Sequence, residues 1–257
     1  MTPAFAGLAN LLVFPVFLLF CRISSALLVF PSISDPAVSP RIRMAIALGV
    51  TLILFPILST KLPPMPGTTS AMLALVAGEL LTGFLLGFAS RVLMAALAMA
   101  GEMIAFISGF QAATLFDPQS GSSTAAPTVF LTITAGLLIL VMGFHHVLIQ
   151  GIMNSYTMLP AGYWPPLGQV AQALLQLFET VFMVGLQIAA PVVVAGLMAN
   201  VIFGIFNQLI PQLQVFFVSV PLSIVVSLIV LAAALPLMFG LFTDTLHANM
   251  WLFDLPE

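Results

Sequence analysis

The sequence predicts an all-α integral membrane protein, and three observations carry that expectation. Of its 257 residues, 61% are apolar and only 5% charged, against about 25% charged in a soluble domain. The apolar residues fall in runs long enough to cross a bilayer, whose core takes roughly 20 residues in helical form. Five Lys or Arg with eight Asp or Glu cannot wet the surface of a soluble fold, so lipid must be the solvent for most of the outside.

Six apolar segments follow along the chain, at 4–30, 44–60, 71–100, 129–159, 171–206 and 214–243. A shorter helical stretch near 101–116 continues the third. The first segment has no cation before Arg22, so it lacks the basic head of a cleaved signal peptide and is expected to stay as a membrane helix. Connections are marked by Pro31 to Pro40, Pro63-Pro64-Met65-Pro66-Gly67, Asp117 to Pro127 and Pro160 to Gly168. The second segment is short, while the third and fifth are long or carry charge. Pro15, Pro56, Pro191, Pro211, Pro221 and Pro236 stand inside apolar runs, where each removes a backbone hydrogen bond and kinks or ends a helix. The expectation is therefore broken helices and helical hairpins packed against other protein, within one membrane domain covering 1–257. Arg41 and Arg43 favour a cytoplasmic first loop, but Lys61 then falls on the other side, so the positive-inside rule leaves the topology open.

The same composition excludes several function classes. The five cations (Arg22, Arg41, Arg43, Lys61 and Arg91) are scattered, so no basic patch for nucleic acid exists. Cys21 is the sole cysteine, which rules out an internal disulfide and argues against a thiolate metal site. His145-His146 are adjacent and on a helix would point about 100° apart, poorly placed to share one ion. No nucleophile-elbow, phosphate-loop or dinucleotide fingerprint is present. Neither a catalytic nor a metal residue is expected, and no cofactor.

Glu79, Arg91, Glu102 and Glu179 lie in or beside apolar segments. A charge at the bilayer centre costs about 2.5–3.5 kcal/mol on insertion scales, so such groups turn to protein or to a water-filled path. Glu79 and Arg91 stand twelve residues apart, about 18 Å along a helix. Glu102 lies eleven further on, about 16 Å away. Neither pair can touch within a continuous helix, so partners must come from a break, another segment or another subunit. A structural contact between helices is the commoner role of such groups; a transport role is the alternative.

Small residues recur at four-residue spacing in Gly101, Ala105, Gly109 and Ala113, and again in Gly196, Asn200 and Gly204 with Gln208 continuing the row. Gly83 and Gly87 add a further pair. Such faces let backbones approach closely, and Asn200 could hydrogen-bond across the contact. The stretch from Asp117 to Pro127 is long for a tight connection and rich in Gly, Ser and Ala. It reads equally as an exposed flexible loop or as a mobile segment that closes a pore.

With these residues in hand, the chain resembles the FliR/SctT family of type III secretion export-gate proteins, on the flagellar side of that family. The resemblance runs through Phe14-Pro15, Arg22, Pro31-Ser32-Ile33, Pro40-Arg41-Ile42-Arg43, Ala100-Gly101-Glu102-Met103-Ile104, Gly109, Ala112, Asp117-Pro118, His145 and Leu159-Pro160-Ala161-Gly162. It is strongest in Ala190-Pro191, Asn200, Gly204-Ile205-Phe206-Asn207, Pro211-Gln212-Leu213-Gln214-Val215-Phe216 and Val220-Pro221-Leu222. Gln208 and Ser223 depart from it, standing where relatives commonly carry a cation.

The resemblance implies one copy of the chain in a closed heteromeric helical assembly with FliP and FliQ, FlhB wrapping nearby, and FlhA and the basal body as further neighbours. It implies a multi-pass protein of the bacterial inner membrane, in an assembly largely above the membrane plane. Unfolded flagellar proteins would pass through the central channel, driven by the proton-motive force and a separate ATPase, so this chain is expected not to be an enzyme. The segment holding Phe110, Leu115, Phe116, Asp117, Pro118, Gly121, Ser122 and Ser123 matches the family's pore plug. Arg22, Glu79, Arg91, Glu102, Glu179 and Asn200 are then expected as buried or assembly contacts, Gly101, Ala105, Gly109, Gly196 and Gly204 as packing positions, and Pro211, Gln212, Phe216 and Pro221 as family motif. An injectisome homologue is the nearest alternative. A small-solute transporter would call for repeated halves, of which there is no clear pair, and an intramembrane enzyme would have only His145 and the acids to work with.

Overall fold

The structure, a computed structural model, describes residues 12–31, 33–34, 38–111, 124–209 and 215–249. Every regular element among them is helical. Helix α1 spans Phe14–Val29, with Pro15 in its first turn, where a missing N–H costs nothing. It stops at Phe30, whose extended ψ of 127° is what a following proline imposes. Helix α2 spans Pro40–Leu58 and is capped by Ser39, whose hydroxyl accepts from the Ile42 N–H at 3.5 Å. A 3₁₀ turn at Ser59–Lys61 ends it just before Pro63-Pro64.

Helix α3 runs unbroken from Thr69 to Ser108, 40 residues, and is stopped by Gly109 at φ 81°, the left-handed cap that glycine adopts most easily. Helices α4 (Ala126–Val141) and α5 (Phe144–Met158) are two arms of one apolar stretch, bent by 65°. Gly143 makes the break, at φ 71° and ψ 18°. Helix α6 spans Leu167–Leu209 and α7 spans Val215–Ala248.

Four of the helical stretches are long and apolar enough to cross a membrane, or five spans if the bent pair counts as one; α1 is a shorter apolar helix. The all-α membrane class expected from composition is what the chain adopts. The third segment and its continuation form one helix through Ser108. One detail differs from the sequence reading. Pro56, Pro191, Pro221 and Pro236 sit inside continuous helices rather than ending them. A proline deletes one bond from a ladder that is otherwise intact on both sides, and in a long apolar helix the ladder has no water to exchange with.

The described chain forms two compact units. Unit 1 holds residues up to Val92 together with Ile139–Leu177, and unit 2 holds Leu93–Leu138 with Phe178–Ala248. In unit 1, α1 buries Leu18, Leu19, Arg22, Ile23 and Ala26 along one face and packs on α2. Its backbone also meets α3 without an intervening side chain. A Cβ on Gly83 would overlap the Arg22 carbonyl and Ser25 Oγ, and one on Gly87 would overlap the Ala26 carbonyl. In unit 2, Gly101 and Ala105 are buried in α3, and a Cβ on Gly101 would come within 2.6 Å of Thr128 Cα in α4. A Cβ on Gly196 would come within 3.0 Å of the Ile107 side chain. A Cβ on Gly204, expected as a packing position, would meet no described residue within 4 Å. Gly204 is exposed on α6.

These contacts make an expected contrast. Gly87→Val should destabilise the chain by at least about 1–3 kcal/mol through overpacking, whereas Gly204→Ala should leave it unchanged or slightly more stable, since alanine favours a helix by about 1 kcal/mol over glycine. Thermal unfolding of the purified protein in mild detergent measures both.

Candidate functional site

The polar centre of unit 1 is assembled by three helices. Arg22 comes from the middle of α1, Glu79 from the end of the third turn of α3, and Ser155 and Tyr156 from the last turn of α5. Arg22 and Glu79 are both fully buried, at 0% exposure. The guanidinium meets the carboxylate as a fork. Arg22 Nε donates to Glu79 Oε2 at 2.8 Å and Nη2 donates to Oε1 at 2.9 Å, the bidentate geometry in which such pairs are strongest.

The remaining valences are used too. Arg22 Nη1 donates to Ser155 Oγ at 2.9 Å, and Nη2 also donates to the Leu159 carbonyl at 3.2 Å. Four of the five guanidinium N–H groups therefore have named acceptors. Tyr156 donates its hydroxyl to Glu79 Oε2 at 2.7 Å, and its ring lies 3.7 Å from Arg22 Cζ, a cation–π contact. Leu159 is the C-cap of α5, so the cation sits where the helix dipole is negative.

An ion pair this deep survives only when its polar atoms are satisfied, and here they are. The arrangement neutralises its charges and ties α1, α3 and α5 together. Beside it, unit 1 has a cavity of about 450 Å³, whose mostly apolar wall includes Thr82, Leu86, Ser155, Leu159, Pro166 and Leu177. Two of these, Ser155 and Leu159, are acceptors of Arg22.

The other charges read from the sequence are placed differently. Arg91, Glu102 and Glu179 are exposed on this chain rather than buried in it, because each falls on an outward helix face. Arg91 donates to Ser34 Oγ at 3.3 Å, and Glu102 accepts from Gln111 Nε2 at 3.4 Å. Asn200 is exposed as well. Phe110 lines a cavity of about 380 Å³ in unit 2, with Ala126, Pro127 and Leu231. Gly109 faces Val220, and Pro221 is inside α7.

Leu115, Phe116, Asp117, Pro118, Gly121, Ser122 and Ser123 lie outside the described residues, as do Pro211, Gln212 and the Phe216 side chain. The His145 and His146 rings lie against one another, centroids 4.0 Å apart and tilted by 40°. Among the described residues no group of three or more His, Cys, Asp or Glu is placed to hold a metal ion. Sequence reasoning named Arg22 and Glu79 but missed Ser155, Tyr156 and the Leu159 carbonyl. The available signal was Tyr156, one of only two tyrosines, whose phenol in an apolar segment needs an acceptor.

Residues 13–248 match the family model described as bacterial export proteins, family 1. The chain belongs to this family. Its relatives among the bacterial export proteins include the flagellar biosynthetic protein FliR of Caulobacter vibrioides, 33% identical over 88% of this chain and 90% of the relative. FliR of Bacillus subtilis is 31% identical over 88% of each. The secretion system apparatus protein SsaT of Salmonella typhimurium is 24% identical over 84% of this chain and 85% of its own. The family resemblance carried by the sequence motifs is thus found along nearly the whole chain, and every element from α1 to α7 falls within the family match.

The polar centre sets its own test. Glu79→Ala, leaving the guanidinium buried and unpaired, should cost about 3–5 kcal/mol, while the double change Arg22→Met with Glu79→Leu should cost much less. Tyr156→Phe removes one neutral donor and should cost only about 1–2 kcal/mol. Thermal unfolding of the purified variants in mild detergent ranks the three.

Proposed function

We propose that this chain is a subunit of the flagellar type III secretion export gate in the bacterial inner membrane. It joins FliP and FliQ in a closed helical assembly, with FlhB, FlhA and the basal body beside it, and passes unfolded flagellar proteins through a central channel. The observation that carries this reading is the family match over 13–248, together with relatives named flagellar biosynthetic protein that align over most of both lengths.

Physical features support it. Helix α3 has 40 residues and α6 has 43, about 60 and 65 Å long, roughly twice the 30 Å hydrocarbon core. Such helices suit an assembly that stands proud of the bilayer. Large apolar side chains are exposed along all the long helices, among them Ile53, Leu73, Leu175, Val201 and Ile229, a surface for lipid or neighbouring chains. The satisfied Arg22–Glu79 centre holds the scaffold and performs no chemistry, which suits a conduit whose energy is supplied elsewhere.

Within this reading the segment from Phe110 to Ser123 is the plug. Phe110, Leu115 and Phe116 seal the closed channel, and the Gly/Ser-rich part lets the segment swing aside. The exposed Arg91, Glu102, Glu179, Asn200 and Gly204 become contacts with other subunits. The whole chain acts as one functional domain. The likeness to SsaT favours, as a second reading, the same role in an injectisome; restoration of swimming in a strain lacking its flagellar relative would select the first.

Purified through a tag on this chain and expressed with its genomic neighbours, the complex should have the native mass of one copy plus several copies of two smaller membrane proteins. A monomer or homodimer in gentle detergent would reject the gate. Deleting 117–123 should make membranes holding the assembled complex leak ions and small solutes; permeability equal to that of the intact complex would reject the plug.

A further inference from the structure

The cations of this chain are confined to one unit, while its carboxylates occur in both. All five Lys and Arg lie at or before Arg91, hence in unit 1, while unit 2 begins at Leu93 and ends at Ala248. The described residues of unit 2 include the carboxylates Glu102, Glu179 and Asp244 and no Lys or Arg. Its exposed side chains are mostly apolar, with uncharged amides such as Gln187 and Asn200 among them, and its long helices have membrane-spanning hydropathy.

Glu102 is the carboxylate with a built setting. It is exposed on α3 beside a cavity of about 450 Å³ lined by Met103, Phe106, Ile107, Gln111 and Val193, all in unit 2. Phe106 projects next to it, 72% exposed. The neighbour that Glu102 does have is an amide, the Gln111 Nε2 at 3.4 Å, which offers a dipole and no charge. An anion on such a face is costly against lipid, and the cost disappears when a cation on an apolar stem fills the cavity and reaches the carboxylate. Lys and Arg have that shape, an aliphatic chain ending in a charge.

We infer that the Glu102 face of unit 2 docks a membrane helix of another protein that carries a Lys or Arg within an apolar stretch, its stem in the Met103–Phe106–Val193 cavity and its charge on Glu102. The occupant is a different chain rather than a lipid head group, because the cavity is walled by side chains on two helices and can hold the stem as well as the charge. This deepens the export-gate reading and rests on it for the presence of membrane partners.

The test places photoreactive benzoylphenylalanine at Phe106 in cells that also express the genomic neighbours, followed by irradiation and mass spectrometry. The expected product joins this chain to a second membrane protein within about one helical turn of a Lys or Arg. Glu102→Lys should lower that yield by at least about tenfold, since like charges brought together at an interface cost more than that factor, and Glu102→Gln should lower it less. Changing the partner's cation to Glu should restore the yield with Glu102→Lys. Should Glu102→Lys fail to fold, the wild-type cross-link map and Glu102→Gln decide. A product with lipid alone, with a second copy of this chain, or with a segment free of cations overturns the docking, as does a yield indifferent to Glu102→Lys. The native mass of the unmodified complex is read separately: if it holds the neighbours while the cross-link fails, the docking alone falls, and if it holds none, both fall.

Discussion

Three helices of unit 1 are organised by one guanidinium and one carboxylate, each wholly removed from solvent. Neither could be there alone. The bidentate fork settles the Coulombic part, and Ser155, Tyr156 and the Leu159 carbonyl take up what the fork leaves over. Because each group has a fixed direction, the pair specifies register as well as proximity. Sliding α3 by one residue along α1 would turn Glu79 away from Arg22 and bring Gly83 and Gly87 off the Arg22 and Ala26 backbone. Polar recognition and close backbone packing therefore demand the same alignment of the same two helices. Leucine side chains in lipid could not enforce it, since lipid tails solvate them as well as protein does.

Unit 2 is held by the second of these devices with little of the first. Gly101 against Thr128 and Gly196 against Ile107 let its helices come together on backbone and small side chains, with the carboxylates Glu102 and Glu179 left on the outside. A unit built this way is shaped by sterics, and its electrostatic needs point outward.

Much of the architecture was legible. Composition gave the solvent, run length gave the segments, and the axial distance between Glu79 and Arg91 ruled out their pairing before any coordinates. What could not be read was the identity of partners. Arg22 and Glu79 are 57 residues apart, and no periodicity reports a contact between separate helices. The break at Gly143 was also hidden, because a glycine within an apolar run is compatible with an unbroken helix until its φ is known. The prolines misled in the opposite sense: Pro191 and Pro236 remove a bond each, yet α6 and α7 continue through them. Arg91, Glu102 and Glu179 were read as buried or assembly contacts because they sit in apolar sequence; within this chain they are exposed, since the side of a helix that faces protein is set by its neighbours.

The separation of Arg22 from its acceptors also imposes an order on biosynthesis. Ribosomes add about 5–20 residues per second, so the 57 residues between Arg22 and Glu79 represent roughly 3–11 s of translation. Through that interval α1 exists with its cation and without its counter-ion, and Ser155 follows only 133 residues after Arg22. The first helix is thus a poor candidate for stable residence in lipid when newly made. The polar centre of unit 1 cannot be complete until both α3 and α5 have been made.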